Sequence, residues 1–233
     1  MDNVKENING IYRALFDEYG REMWWPIRQR DHSNIKDSKF FHYKDANQKD
    51  LDRFEIIMGT ILTQNTNWNG VDKALNNLAE FTDFNPHNIL NFIDEDSELF
   101  KKQIRPTGYY NQKTIYLRNI AEFYISLDGE TPSRKEVLSV KGVGNETADS
   151  ILLYAYGQKE FVVDAYTKRM FTYLGYLKDN ATYMQIKKLF EDNFDGGVKE
   201  YQAYHGVIVD HGKNYYRHKP YGEKDMILAP YKI

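Results

Sequence analysis

The stretch Val140–Tyr156, VKGVGNETADSILLYAY, constrains this chain more than any other. Gly142 and Gly144 flank Val143, and glycines so spaced bound a tight hairpin that bulkier residues would obstruct. Upstream, Thr131 predicts an N-cap, with Pro132 at the first helical position and RKEVL continuing the helix. Downstream, Ala148, Ile151, Leu152 and Ala155 recur at helical spacing and form one apolar face of a second helix. Helix, hairpin, helix brings backbone N–H groups and a helix N-terminus to one point, an arrangement suited to a phosphate. About twenty residues on, VVDAY at Val162–Tyr166 runs an apolar pair up to Asp164.

The rest of the chain predicts an all-α fold. Apolar periodicity marks helices over 7–19, 51–63, 71–81, 97–104, 111–126, 165–174, 182–193 and 197–210. Val162–Val163 is too short to imply a sheet, and the polar segment 28–48 lacks periodicity and reads as an insertion or long loop. With no cysteine, the chain can form neither a disulfide nor a thiolate-held metal or iron–sulfur centre. No apolar run reaches the length of a membrane span, and the acidic start MDNVKENI does not resemble a signal peptide. A soluble intracellular protein is expected, cytoplasmic and associated with the nucleoid. A net charge of −3 argues against a nonspecific coat on duplex DNA, which depends on cations meeting phosphates. Basic residues nevertheless cluster locally: Arg134, Lys135 and Lys141 at the hairpin, Lys168 and Arg169 after Asp164, and Lys213, Arg217, Lys219 and Lys224 near the end. Each cluster alone reads as a solvated helix face; their coincidence with the hairpin and Asp164 favours a DNA-facing surface.

Four ordered blocks, FEIIMGTILTQNTNW from Phe54, IRPTGYYNQKTIYLRNIA from Ile104, the hairpin with VVDAY, and YHGVIVDHGKN from Tyr204, resemble the endonuclease III (HhH-GPD) superfamily of DNA glycosylases. Trp24, Trp25 and Pro26 add a WWP tripeptide like that of its small monofunctional 3-methyladenine glycosylases and endonuclease III-related proteins. The resemblance implies two helical lobes around a DNA- and base-binding cleft: residues 46–158 as a central bundle, and 1–45 with 159–233 as a second lobe. It implies that Asp164 is the catalytic carboxylate, stabilising an oxocarbenium-like sugar and orienting water. From spacing alone the N-cap reading of Asp164 is favoured, and the two roles are compatible. Gln64 matches the residue that fills the gap left by an extruded base; otherwise it is an ordinary helix-end side chain. Lys141, Gly142, Val143, Gly144, Glu146 and Thr147 would meet the DNA backbone.

Glu146 departs from the family's glycosylase/lyases, which hold a Schiff-base lysine at this position. A carboxylate forms no imine, so a monofunctional enzyme using water is expected. Lys141 is the alternative amine nearby. Trp24, Trp25, Pro26 and Trp68 are pocket candidates, whose indoles suit a cationic alkylated purine, or else core packing. Lys213 lies where cluster-free relatives place a lysine near the base. Many relatives carry four cluster cysteines in the C-terminal block; here Tyr216 stands at the first, Gly222 lies near the second, and packing of Tyr215, Tyr216 and Tyr221 is expected to hold this end. His205 and His211 are not on one helix face, so no metal site is expected from them, and without the cluster cysteines no cofactor is expected. The expected protein is a monomeric DNA glycosylase that removes an alkylated purine such as 3-methyladenine from damaged duplex DNA. The rivals are an endonuclease III-like enzyme for oxidised pyrimidines or mismatched bases, and a noncatalytic helix-hairpin-helix DNA binder.

Overall fold

A computed structural model describes residues 2–20, 25–27 and 46–233. The described residues form α-helices and short 3-10 and π turns, with no strand among them. They fall into two compact units: one runs to Trp25 and resumes at Gly157–Ile233, and the other is Pro26–Tyr156.

In the unit containing the N-terminus, α1 (Asp2–Tyr19) presents Ile8, Ile11 and Leu15, all fully buried, one helical turn apart. In the Pro26–Tyr156 unit, α2 (Ala46–Leu62) begins five residues before the periodicity does, within the segment expected to be a loop. Residues 28–45 of that segment lie outside the described residues. Next come α3 (Trp68–Ala79), α4 (Pro86–Glu95), α5 (Ser97–Ile104) and α6 (Tyr110–Ser126). Helix α4 is not among the helices marked by periodicity, and its start, NPHN, is rich in turn-forming residues. Asn85 is in fact an N-cap whose side chain accepts from the His87 N–H, and Pro86 occupies the first turn, where its missing N–H costs nothing. Phe54, Ile57, Ile61, Val71, Leu78 and Phe100 are among the buried side chains that join these helices in one core.

Helices α7 (Arg134–Ser139) and α8 (Asn145–Ser150) flank the hairpin. Helix α7 starts at a Ser133 cap rather than the expected Thr131: Ser133 and Glu136 form a reciprocal capping box, which satisfies more orphan groups than Thr131 could. The second helix does not continue as a regular α-helix but widens into a π turn at Ile151–Ala155.

The remaining helices of the first unit are α9 (Ala165–Tyr173), α10 (Tyr183–Asn193) and α11 (Val198–Tyr215). Their core is aromatic: Phe161 stacks on Phe190 with centroids 3.9 Å apart, and Tyr204 meets both edge-on. Polar contacts as well as ring packing hold the C-terminal end. Buried His211 lies between Tyr19 Oη, 3.0 Å from Nδ1, and Asp225 Oδ2, 2.7 Å from Nε2. Tyr216 Oη also donates to Asp225 Oδ2, and the Ile227 and Leu228 N–H groups donate to Oδ1. Burial opposes ionisation of Asp225, but the bonds from His211, Tyr216 and Leu228 outweigh it and hold its pKa below the ordinary carboxylate value.

Candidate functional site

The hairpin is built from the inside. Gly142 has φ +105°, and a Cβ there would lie 2.2 Å from Cδ1 of Tyr116, whose ring packs across it. Both the backbone and the space therefore demand glycine. Gly144 has an ordinary extended backbone (φ −96°, ψ −179°) as the N-cap of α8, and a Cβ there would meet nothing within 4 Å. The turn closes through Val143 N–H to Val140 O, and Asn119 Nδ2 on α6 donates to Lys141 O. Lys141, Gly144 and Glu146 are exposed and Val143 is half-buried. Thr147 is buried, its hydroxyl turned to Gln64.

Gln64 sits just beyond α2, where Asn65 turns the chain through left-handed φ (+53°). Its Nε2 donates to Gly142 O at 2.9 Å and to Thr147 Oγ1 at 3.1 Å, so its amide is anchored on the hairpin. Arg134 does not belong with the exposed basic residues of this surface. Its guanidinium grips fully buried Asp149 with two bonds, 2.7 and 3.1 Å, and a third reaches Asn145 Oδ1, so it ties α7 to α8.

In the other unit, Asp164 caps α9. Both the N–H and the hydroxyl of Thr167 donate to Oδ1, each at 2.7 Å, and Oδ2 takes no bond among the described residues. The carboxylate is half-buried. Fully buried apolar residues, Phe161 and Val162, and the nearly buried Val163 lead the chain to it, and Tyr183 Oη accepts from the Val163 N–H. His205 on α11 is buried near enough to feel the Asp164 charge. Desolvation pushes its pKa down while Asp164 pulls it up, and the net shift is downward, which favours a neutral ring.

The other residues marked in the sequence belong to several different elements. Trp24 lies outside the described residues. Trp25 is buried and Pro26 is half-buried, each in a different unit. Trp68 opens α3 and packs half-buried against the core. Lys213, exposed in the last turn of α11, pairs with Asp210 at 3.1 Å. Lys168 donates to Ala181 O, and Arg169 donates to Tyr216 O while its guanidinium lies over the Tyr166 and Tyr221 rings. No group of acidic or histidine side chains that could hold a metal ion occurs among the described residues. No helix among them is long and apolar enough to cross a membrane.

Sequence reasoning missed Lys113, which reaches the end of α2 just before Gln64, and Tyr109, two residues beyond Lys113's other partner. Tyr109 is 71 % exposed and has left-handed φ (+48°). Lys113 is 2 % exposed, and its ammonium donates to Leu62 O and Thr107 O, both at 2.8 Å. Residue type signals neither: tyrosine has no preference for left-handed backbone, and a lysine on a helix reads as surface.

The family model for HhH-GPD superfamily base excision DNA repair proteins matches residues 58–195. A Methanocaldococcus jannaschii protein carrying the name "Putative DNA repair glycosylase" is 40 % identical over 229 residues, covering 94 % of this chain and 92 % of that protein. Endonuclease III of Sulfolobus acidocaldarius is 28 % identical over 166 residues, covering 69 % of this chain and 72 % of its own. Among solved structures, the H. pylori 3-methyladenine DNA glycosylase MagIII, bound to 1,N6-ethenoadenine, superposes with a TM-score of 0.60 at 27 % identity, covering 69 % of this chain and 85 % of its own. An endonuclease III–DNA complex matches in fold with a TM-score of 0.71 at 18 % identity, covering 92 % of this chain and 88 % of its own. With its helix-hairpin-helix and its capped aspartate in place, the chain belongs to the HhH-GPD superfamily of base excision DNA repair glycosylases.

Proposed function

We propose that this glycosylase is monofunctional: it extrudes a damaged base from duplex DNA and hydrolyses the N-glycosidic bond with water, leaving an abasic site. Asp164 carries the proposal. Its cap bonds converge on Oδ1 and leave Oδ2 to face a cationic sugar or a water, so one carboxylate serves both fold and chemistry. As the C1′–N bond breaks, its electron pair leaves with the base. Asp164 stabilises the positive charge that remains and takes the proton of the attacking water. Exposed Glu146 in the first turn of α8 supports hydrolysis over imine formation. Buried Lys113 is held by two carbonyls, which leaves Lys141 as the amine on the hairpin.

The alkylated purine is the favoured substrate because the chain is similar to MagIII, whose name specifies 3-methyladenine. A cationic alkylpurine is already a good leaving group, which suits a site built around one carboxylate. Gln64 would fill the vacated stack and the Lys141–Thr147 hairpin would hold the backbone, while Trp24, Trp25, Pro26, Trp68 and Lys213 remain pocket candidates without a cofactor. Similarity to endonuclease III keeps oxidised pyrimidines and mismatches as the second substrate class.

The test is base release from duplexes carrying 3-methyladenine, 7-methylguanine, thymine glycol, uracil or a G·T mismatch, with and without alkali, for wild type and Asp164→Asn. Release of an alkylated purine, with strand cleavage only after alkali and loss of about a hundredfold or more in Asp164→Asn, is expected. Cleavage without alkali would overturn the monofunctional assignment. Binding with no release of any base would leave a noncatalytic DNA binder.

A further inference from the structure

Lys113 is an unusual core residue. Its ammonium is buried and no carboxylate among the described residues pairs with it; its two partners are main-chain carbonyls. Burial alone pulls its pKa down from 10.5 to about 8. A methionine would fill similar space without the cost of desolvating a charge, so the cation must answer a need that packing does not.

The two carbonyls identify that need. Leu62 O belongs to the last residue of α2, whose C-terminal carbonyls lack helical partners and favour a cation. Thr107 O is the last carbonyl of the 3-10 turn Arg105–Thr107 before α6. Gln64 lies two residues beyond the first carbonyl and Tyr109 two beyond the second. Each segment then passes through left-handed backbone at a non-glycine residue, Asn65 (φ +53°) and Tyr109 (φ +48°). Such strained residues persist where their surroundings hold them firmly. Gln64 in turn grips the hairpin through Gly142 O and Thr147 Oγ1. Lys113 thus joins the Gln64 turn to the Tyr109 turn from beneath, and through Gln64 both connect to the hairpin.

We propose that Lys113 is a positioning residue for DNA engagement: its ammonium fixes the Leu62–Thr66 segment so that Gln64 is presented to the gap left by an extruded base. This rests on the glycosylase reading of Gln64 but not on which base is removed. The test therefore uses a duplex with a tetrahydrofuran abasic-site analogue, 2-aminopurine opposite it, and a matched undamaged duplex. Wild type, Lys113→Met, Lys113→Arg, Gln64→Ala and the Lys113→Met/Gln64→Ala double variant are compared, with folding checked by circular dichroism.

Lys113→Met is expected to bind undamaged duplex within about twofold of wild type but to lose about tenfold of its preference for the abasic duplex. The 2-aminopurine change that marks a filled gap should disappear in the same variant. Gln64→Ala should lose as much, the double variant should lose no more than either alone, and Lys113→Arg, which keeps the cation, should recover part of the preference. An unchanged preference and 2-aminopurine signal in Lys113→Met, or additive losses in the double variant, would overturn the proposal and leave Lys113 as a core residue only. If Lys113→Met does not fold, Lys113→Gln, a neutral donor to the same carbonyls, takes its place with the same two outcomes. A wild type with no preference for the abasic duplex would remove the glycosylase reading itself, and this inference with it.

Discussion

Gly142→Ala and Gly144→Ala form a pair that are indistinguishable in a G-x-G motif and opposite in the folded protein. At Gly142, a non-glycine residue is forced to φ +105°, which costs about 1–2 kcal/mol. The new Cβ would also lie 2.2 Å from Cδ1 and 2.3 Å from Cγ of Tyr116, and displacing that ring costs a further 1–3 kcal/mol or so. Together, about 2–5 kcal/mol should lower the melting temperature of the transition carrying the Pro26–Tyr156 unit by roughly 5–15 °C. At Gly144 the backbone suits any residue and nothing stands within 4 Å, so only a weakened N-cap is lost, under about 1 kcal/mol. If the hairpin holds a DNA phosphate as proposed, this methyl group would, however, stand in its approach to the first N–H groups of α8. Losing one charge-assisted hydrogen bond there should weaken duplex binding by about tenfold to a hundredfold. Thermal unfolding followed by circular dichroism, together with fluorescence anisotropy on a labelled duplex at fixed salt, reads both effects. A Gly142→Ala protein as stable as wild type would refute the steric argument. A stable Gly144→Ala protein with wild-type affinity would refute the hairpin as a phosphate site.

Asp164→Asn should keep the cap, since the amide oxygen can still accept from Thr167, and should melt within about 1 kcal/mol of wild type while base release collapses; Asp164→Ala should lose about 1 kcal/mol more, as calorimetry can check. For Lys113, the unfolded chain holds its proton up to about pH 10.5 and the folded chain only to about 8, so stability rises with pH across that window. Wild type should therefore gain about 3 kcal/mol on Lys113→Met between pH 8 and 10.5, measured by urea unfolding, and a gap independent of pH would refute the burial of a charged group. Asp225→Asn breaks a buried acceptor of four bonds and should cost about 2–4 kcal/mol near neutrality. Because the folded pKa of Asp225 is depressed, that stabilisation is present above its unfolded value near 4 and fades as pH falls through the folded pKa, so the two proteins should converge in acid.

The all-helical fold was legible in the chain because it depends on local periodicity. Val71, Ala74, Leu75 and Leu78 recur on one face of α3 and are buried, and α5 runs over Ser97–Ile104 as its spacing predicts. Where local signals compete, the boundary moved: Ser133 displaced Thr131 by completing a capping box, and the turn-like NPHN proved to be a capped helix start. The hairpin and the Asp164 cap were likewise visible, since each depends on residue type at a short spacing.

Tertiary structure alone decided which of these residues bears load and which remains open. That Gly142 is locked by Tyr116 while Gly144 is unobstructed, that Arg134 is engaged by buried Asp149, and that Gln64 is anchored on the hairpin all depend on contacts between segments far apart in sequence. Lys113 is the extreme case. Its charge marks it as a surface residue in the sequence, and only the meeting of the α2 end with the turn before α6 makes it a buried cation between two carbonyls. Periodicity reports which face of a helix is apolar, but the partners that a polar group finds across the fold are set by packing, which no local spacing encodes.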